Sequence, residues 1–212
     1  MKPLLERYID LIEAGPPGLF SRGDMARLAA HVADGVAGAA TIRSLGAEHL
    51  VDVGSGGGIP GIPLAIELDE CAVHLVESQA WKAEFLLTCA HALDLDSRVT
   101  VHPVRAEEAV AAIGRETVDV GVARALAAPL IVAEYLAPLV RVGGHLVLWS
   151  TAAQAAAADL GSNEILGIGV ATVEPCPSPL RADGVQIVWP RTGPCAARVP
   201  RRAGVAARRP LR

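Results

Sequence analysis

A chain of 212 residues that is 51% hydrophobic is long enough for one α/β domain with a full core and too apolar to be disordered. Aromatic residues make up only 3%, which argues against a surface that stacks many bases. The formal charge of −4 is uneven: residues 191–212 hold seven Arg and no acid, leaving 12 basic against 23 acidic residues in the rest.

Leu4, Leu5, Tyr8, Ile9 and Ile12 recur at helical spacing over residues 3–14, and GPPG at 15–18 ends that helix. The same segment carries Glu6, Asp10 and Glu13, which a secretory signal would avoid, so a cytoplasmic protein is expected. A second helix is predicted from Ser21, with Asp24 as its capping-box partner, running through Met25, Leu28, Ala29, Val32 and Val36.

From residue 48 the pattern becomes strand and helix in alternation. HLVDVG is followed by a Gly-rich turn and a helix from about Pro60, and VHLVES (73–78) by WKAEFLLTCAHAL. RVTVHPVRA (98–106) precedes EEAVAAI, VDVGVARA (118–125) precedes PLIVAEYLAPLV, and GGHLVLWS (143–150) precedes the Ala-rich TAAQAAAADL. Such alternation predicts a doubly wound parallel sheet with helices on both faces. IGVATVEP and GVQIVWP, joined across RADG, are expected to add an antiparallel hairpin. The longest apolar run, LAAPLIVAEYLAPLV at 126–140, is cut by Glu134 and is too short for a membrane span. The expected organisation is a helical segment over 1–45, an α/β domain over 46–190 and an Arg-rich flexible tail over 191–212.

The stretch VDVGSGGGIPGIPLAIEL is where chemistry is expected. Ligands of such sheets bind outside the carboxyl ends of the strands, and Gly54, Gly56 and Gly58 let the backbone turn sharply and approach one. Pro60 suits the first turn of the next helix. Gly56, Gly58 and Gly61 fit G-x-G-x-x-G, with Glu77 at the distance of a ribose-binding acid, so a dinucleotide is one reading. Gly54-x-Gly56-x-Gly58 with the same Glu77 equally fits an S-adenosylmethionine loop. Cys71, Cys89, Cys176 and Cys195 lack zinc-ligand spacing, so they read as thiols in or near the core and no metal is expected. Pro175-Cys176 lies beyond the fifth strand, whereas the Pro-Cys nucleophile of cytosine C5 enzymes follows the fourth.

Four stretches in order resemble one family. GSGGGIPGIPLAI, VESQAWKAEFL, VRAEE at 104–108 and VARALA at 122–127 are similar to motifs of the methyltransferase G family of bacterial small-subunit ribosomal RNA, also called the glucose-inhibited division protein B family. The resemblance covers about residues 48–150. It implies a Rossmann-like class I S-adenosylmethionine-dependent methyltransferase, a monomer, acting on N7 of a guanine in 16S rRNA, free or in the small ribosomal subunit. By position it implies cofactor contacts from Gly54, Ile59, Ala106 and Glu107, and makes Arg124 the functional arginine, holding the cofactor carboxylate, the RNA, or both. HVADG at 31–35 is similar to the family's His-Ile-Leu-Asp-Ser, matching His31 and Asp34. AGPPGLFSRGD replaces the family's N-terminal Trp-Asn and Asn-Leu-Thr, Trp149-Ser150 replaces Lys-Gly, and Ala83 replaces an Arg beside the retained Lys82. The lost N-terminal signature and the acidic body keep open a methyltransferase with a small-molecule or other RNA acceptor; a non-catalytic cofactor-binding module is a further rival, and a nicotinamide dehydrogenase, which the G-x-G-x-x-G match allows, comes last because no separate substrate-domain motif follows.

Overall fold

The computed structural model describes residues 2–211. Five strands, β1 (His49–Val53), β2 (Ala72–Val76), β3 (Val99–His102), β4 (Val118–Arg124) and β5 (Val140–Thr151), run parallel. Two more, β6 (Thr172–Pro175) and β7 (Gly184–Pro190), form the antiparallel hairpin, with β7 inserted between β5 and β6. The sheet order is β3-β2-β1-β4-β5-β7-β6. The chain reverses direction across the sheet between β1 and β4, which opens a crevice at their carboxyl ends.

Helices cover both faces, as the buried runs on the strands require. Alternation along β1 sends Leu50 to one core and Val51 and Val53 to the other. The first core packs α1 (Pro3–Glu13), α3 (Leu28–Ala37), α4 (Ala39–Ser44), α5 (Gly61–Glu67) and α6 (Ala80–Ala92) against the sheet. The second lies under α7 (Ala109–Ile113), α8 (Pro129–Leu136) and the C-terminal residues. No helix among the described residues is long and apolar enough to cross a membrane.

The helix predicted from Ser21 is two helices. Ser21 does cap, its hydroxyl accepting from Asp24 N at 3.2 Å, but α2 (Arg22–Met25) ends where Arg27 leaves helical geometry at φ −120°. The strand predicted over 143–150 begins earlier, at Val140, because the segment pairs with β4 from Val118 onward through a register shift. The Ala-rich helix is only α9 (Ala152–Ala156), with Thr151 and Gln154 forming its capping box.

The expected flexible tail is corrected by the structure: residues 191–211 pack onto the second core. Arg191 is 2% exposed. Its Nε donates to Val140 O at 3.0 Å, Nη1 to the Leu166 and Gly167 carbonyls, and Nη2 to Glu116 Oε1 at 2.6 Å. A buried guanidinium is stable only with its donors matched in this way. Cys195, Val199 and Ala206 are buried further along, and Arg201 Nε donates to the buried Glu134 carboxylate at 2.7 Å. Within this stretch α10 (Val205–Arg208) packs on α8.

Candidate active site

The crevice is a cleft of about 540 Å³ at the carboxyl ends of β1, β2 and β4. Its floor is the glycine turn. Gly54 and Ser55 N–H groups donate to Val76 O at 2.9 and 3.0 Å, tying the turn to the end of β2. Gly54 and Gly56 have φ of +77° and +57°, which glycine adopts without a steric cost. A Cβ on Gly54 would lie 2.5 Å from Leu126, whereas one on Gly56 would meet only Gly54 O at 3.9 Å and would otherwise project into open space. Gly56 thus leaves open space at the turn, while the cleft-lining Leu126 and Phe20 pack over Gly54 and Gly57.

Glu77, at the end of β2, is 6% exposed and faces this turn. Its Oε2 accepts from Gly56 N at 2.9 Å and its Oε1 from Gln79 N at 2.7 Å. Two backbone donors fix the carboxylate at the cleft wall. Ile59 also lines the cleft, as do Val104, Arg105, Ala106 and Glu107 of the segment that follows β3, the neighbour of β2. Glu107 Oε1 accepts from Gly204 N at 2.9 Å, so this segment is braced by the C-terminal one.

Arg124 is the last residue of β4 and lines the cleft with 11% of its side chain exposed. Its Nη1 is shared between Asp34 Oδ2 at 3.3 Å and His31 Nδ1 at 3.2 Å, and its Nε donates to Ile59 O at 3.4 Å. Burial pushes the Arg124 pKa down and Asp34 pulls it back up. Asp34 itself is fully buried and mainly held by Arg181 of the β6–β7 connection, whose Nη2 reaches its two oxygens at 2.9 and 2.7 Å. Arg124 therefore presents incompletely matched donors toward the cleft, the condition for taking up an anion. His31 bridges Arg124 to Asp24 Oδ1 at 3.2 Å, and burial followed by the Arg124 charge lowers its pKa.

Seven of the eight predicted site residues meet at this cleft: Gly54, Gly56, Ile59, Glu77, Ala106, Glu107 and Arg124. Gly58 does not line it. With φ +101°, it turns inward, and a Cβ there would sit 2.6 Å from the Tyr8 hydroxyl and 3.0 Å from Leu86. Its glycine serves the close packing of α1 and α6 under the turn. The N-terminal segment contributes Leu19, Phe20, Asp24 and His31 to the cleft, and sequence reasoning missed the first three as lining residues. The available signal was Phe20, one of two Phe in the chain, set between a Gly/Pro turn and a helix cap. Cys176 lies away from the cleft, buried, with its pKa raised by burial.

Beneath the turn, Asp52 is almost fully buried, with Oδ2 accepting from Gly61 N at 3.0 Å and Oδ1 unpartnered. Burial raises its pKa from 3.8 to about 7. The folded state then binds a proton that the unfolded chain releases, so this group's contribution to stability falls as pH rises from about 4 to 7. Asp52→Asn, which keeps an acceptor for Gly61 N, should be more stable than the parent above pH 7, by on the order of 4 kcal/mol at the limit. Urea melts at pH 5 and pH 8 check this: the gap must widen with pH, and a constant gap would mean that Asp52 stays ionised.

The chain fold matches solved methyltransferases. A putative O-methyltransferase from Klebsiella pneumoniae superposes with a TM-score of 0.60 at 16% identity, covering 90% of this chain and 91% of that one. The mitomycin 7-O-methyltransferase MmcR does so with a TM-score of 0.60 at 14% identity, covering 89% and 67%. The architecture is that of the class I S-adenosylmethionine-dependent methyltransferases, and the glycine turn facing an acid at the end of β2 lies where such folds bind their ligands. The family model for rRNA small subunit methyltransferase G matches residues 2–169, and the chain belongs to that family. Curated members from Rubrobacter xylanophilus and Roseiflexus sp. (strain RS-1) are each 41% identical, over 175 and 169 residues. Those alignments cover 78% and 76% of this chain and 66% and 70% of the relatives. The chain thus spans about two-thirds of the length of these relatives.

Proposed function

We propose that the protein transfers the methyl group of S-adenosylmethionine to N7 of a guanine in 16S rRNA, acting as a monomer in the cytoplasm. The observation that carries the reading is convergence: the family's four separated motifs bring Gly54, Glu77, Ala106 and Arg124 onto one cleft. That cleft is completed within one chain, so no second copy is needed to build it.

The residues present fit this cofactor. Gly56 leaves the turn open to the amino-acid portion, Glu77 offers carboxylate oxygens to the ribose hydroxyls, and Ala106 with Val104 gives an apolar edge to the adenine. Arg124 holds an anion, the cofactor carboxylate or a phosphate, without leaving Asp34 uncompensated. S-adenosylmethionine supplies a methyl already activated on a sulfonium. Guanine N7 carries an in-plane lone pair, so no strong general base is required of the chain. The protein's work is orientation and exclusion of water, and alignment alone can lower such a barrier by several kcal/mol. A half-buried His31 with a lowered pKa, held by Arg124 and Asp24, suits a wall that positions and does not take protons.

Glu77→Ala should weaken cofactor affinity by about 1–3 kcal/mol, the range for a hydrogen bond to a charged group. Calorimetric titration of S-adenosylmethionine measures it, with NADH as the control ligand. Unchanged affinity removes Glu77 from the site, and tighter binding of NADH would favour the dehydrogenase reading. Labelled methyl appearing in 16S rRNA, and not in small molecules, tests the acceptor class.

A further inference from the structure

Beside the cofactor cleft lies a second cavity, of about 560 Å³, between the carboxyl ends of β4 and β5 and helix α9. Ala125 lines both cavities. It is one of three non-glycine residues with positive φ among those described, at +55°. Alanine in this conformation is strained, and such strain persists where the surroundings impose it, often at functional sites. Ala125 follows directly on β4, at the point the two cavities share. The size falls within the range of about 300–1,000 Å³ that takes small planar ligands.

The walls are mainly alanine, leucine and isoleucine side chains with Trp149 and two prolines, and the polar groups are Ser150, Gln154 and Asp159. Gln154 Oε1 is used by Thr151 N and the Ser150 hydroxyl, which leaves its amide N–H groups as the free donor end. Asp159 Oδ1 accepts from Gly161 N at 3.0 Å, which leaves its second oxygen as a free acceptor. One donor and one acceptor on an apolar slot match one base edge. Guanine offers O6 as acceptor with N1–H and N2–H as donors on its Watson–Crick edge, and keeps N7 on the other. Reading the Watson–Crick edge is the arrangement that leaves N7 free to react.

Pro210 lines the cavity, and Arg202, Arg208 and Arg209 of the same segment are exposed. Arg201 on Glu134 and Gly204 on Glu107 hold that segment to the domain. Exposed cations on the segment that reaches the slot suit a nucleotide within a phosphate chain, despite the acidic body.

On the reading given under Proposed function, we infer that this second cavity is the acceptor site, holding one guanine extruded from RNA, with Asp159 and Gln154 reading its Watson–Crick edge. Asp159→Asn keeps an oxygen for Gly161 N and turns the free acceptor into a donor. It should lower kcat/KM for RNA at least tenfold with S-adenosylmethionine affinity and melting temperature unchanged. Gln154→Ala should lower it by a smaller factor. Ligand-observed NMR with guanosine and adenosine 5′-monophosphates, S-adenosylhomocysteine being present, reads the same pocket without turnover: guanosine monophosphate should bind in preference to adenosine monophosphate, and Asp159→Asn should abolish the preference. Parent-level kcat/KM in both variants overturns the acceptor pocket while leaving the methyltransferase reading intact. No transfer to any RNA by the parent, with an Asp159-dependent guanine preference retained, overturns the reaction and leaves the pocket. Absence of both overturns both.

Discussion

Asp34→Ala should destabilise the fold by about 3–5 kcal/mol, the cost of stripping a buried ion pair of one partner. Asp34 has no exposed surface and receives three close bonds from Arg181, one from the Ser178 hydroxyl at 2.8 Å and the longer one from Arg124. Its removal leaves two largely buried guanidinium groups facing each other with the carboxylate gone. It also loosens the contact between the N-terminal helices and the β6–β7 connection. Asp34→Asn, which keeps acceptor capacity on one oxygen, should lose less. Urea denaturation monitored by circular dichroism measures both, and a parent-like midpoint for Asp34→Ala would show that the cluster contributes nothing net.

Arg124→Ala should behave in the opposite sense. Asp34 retains Arg181 and the Ser178 hydroxyl, so no buried charge is left unpaired and the loss of stability should be well below that of Asp34→Ala. Methyl transfer should fall about 100-fold or more, the penalty expected when a group that fixes reacting geometry is lost. Single-turnover transfer to RNA, with the variant's melt recorded beside it, separates the two effects. If the melt falls steeply and transfer per folded molecule is unchanged, Arg124 is a structural ion pair and the cleft lacks its proposed anion holder. Arg124→Lys restores charge but not the guanidinium fork, and should recover little of the rate.

These two residues also show what could be read from the chain and what could not. Arg124 is picked out by the resemblance of VARALA to a family motif, and its place at the end of a parallel strand agrees with a ligand crevice there. Glu77 and the glycine turn are legible from their own spacing at the ends of two predicted strands. The partnership of Asp34 with Arg181 joins residues 147 positions apart and follows only from how the hairpin folds back, which no local spacing records. Gly58 illustrates a subtler limit: three alternating glycines looked equivalent, yet one clears a cleft and another admits Tyr8 beneath the turn.

The C-terminal stretch misled most. Arginine and proline with no acid have the composition of a solvated arm, but Arg191 is internal because three backbone carbonyls and Glu116 happen to surround it. Composition reports the mean cost of burying a charge, and only tertiary geometry reports whether its partners are present. The same fold leaves Arg202, Arg208 and Arg209 at the surface, so basic character and packing coexist in one segment.

The most direct test of the account is the nucleoside that acquires the label. Small ribosomal subunits and free 16S rRNA from cells lacking the family enzyme would be incubated with methyl-labelled S-adenosylmethionine and the protein, then digested and analysed by mass spectrometry. The account predicts 7-methylguanosine at a single position. Label on another atom or base, or transfer only to acceptors outside 16S rRNA, would contradict it.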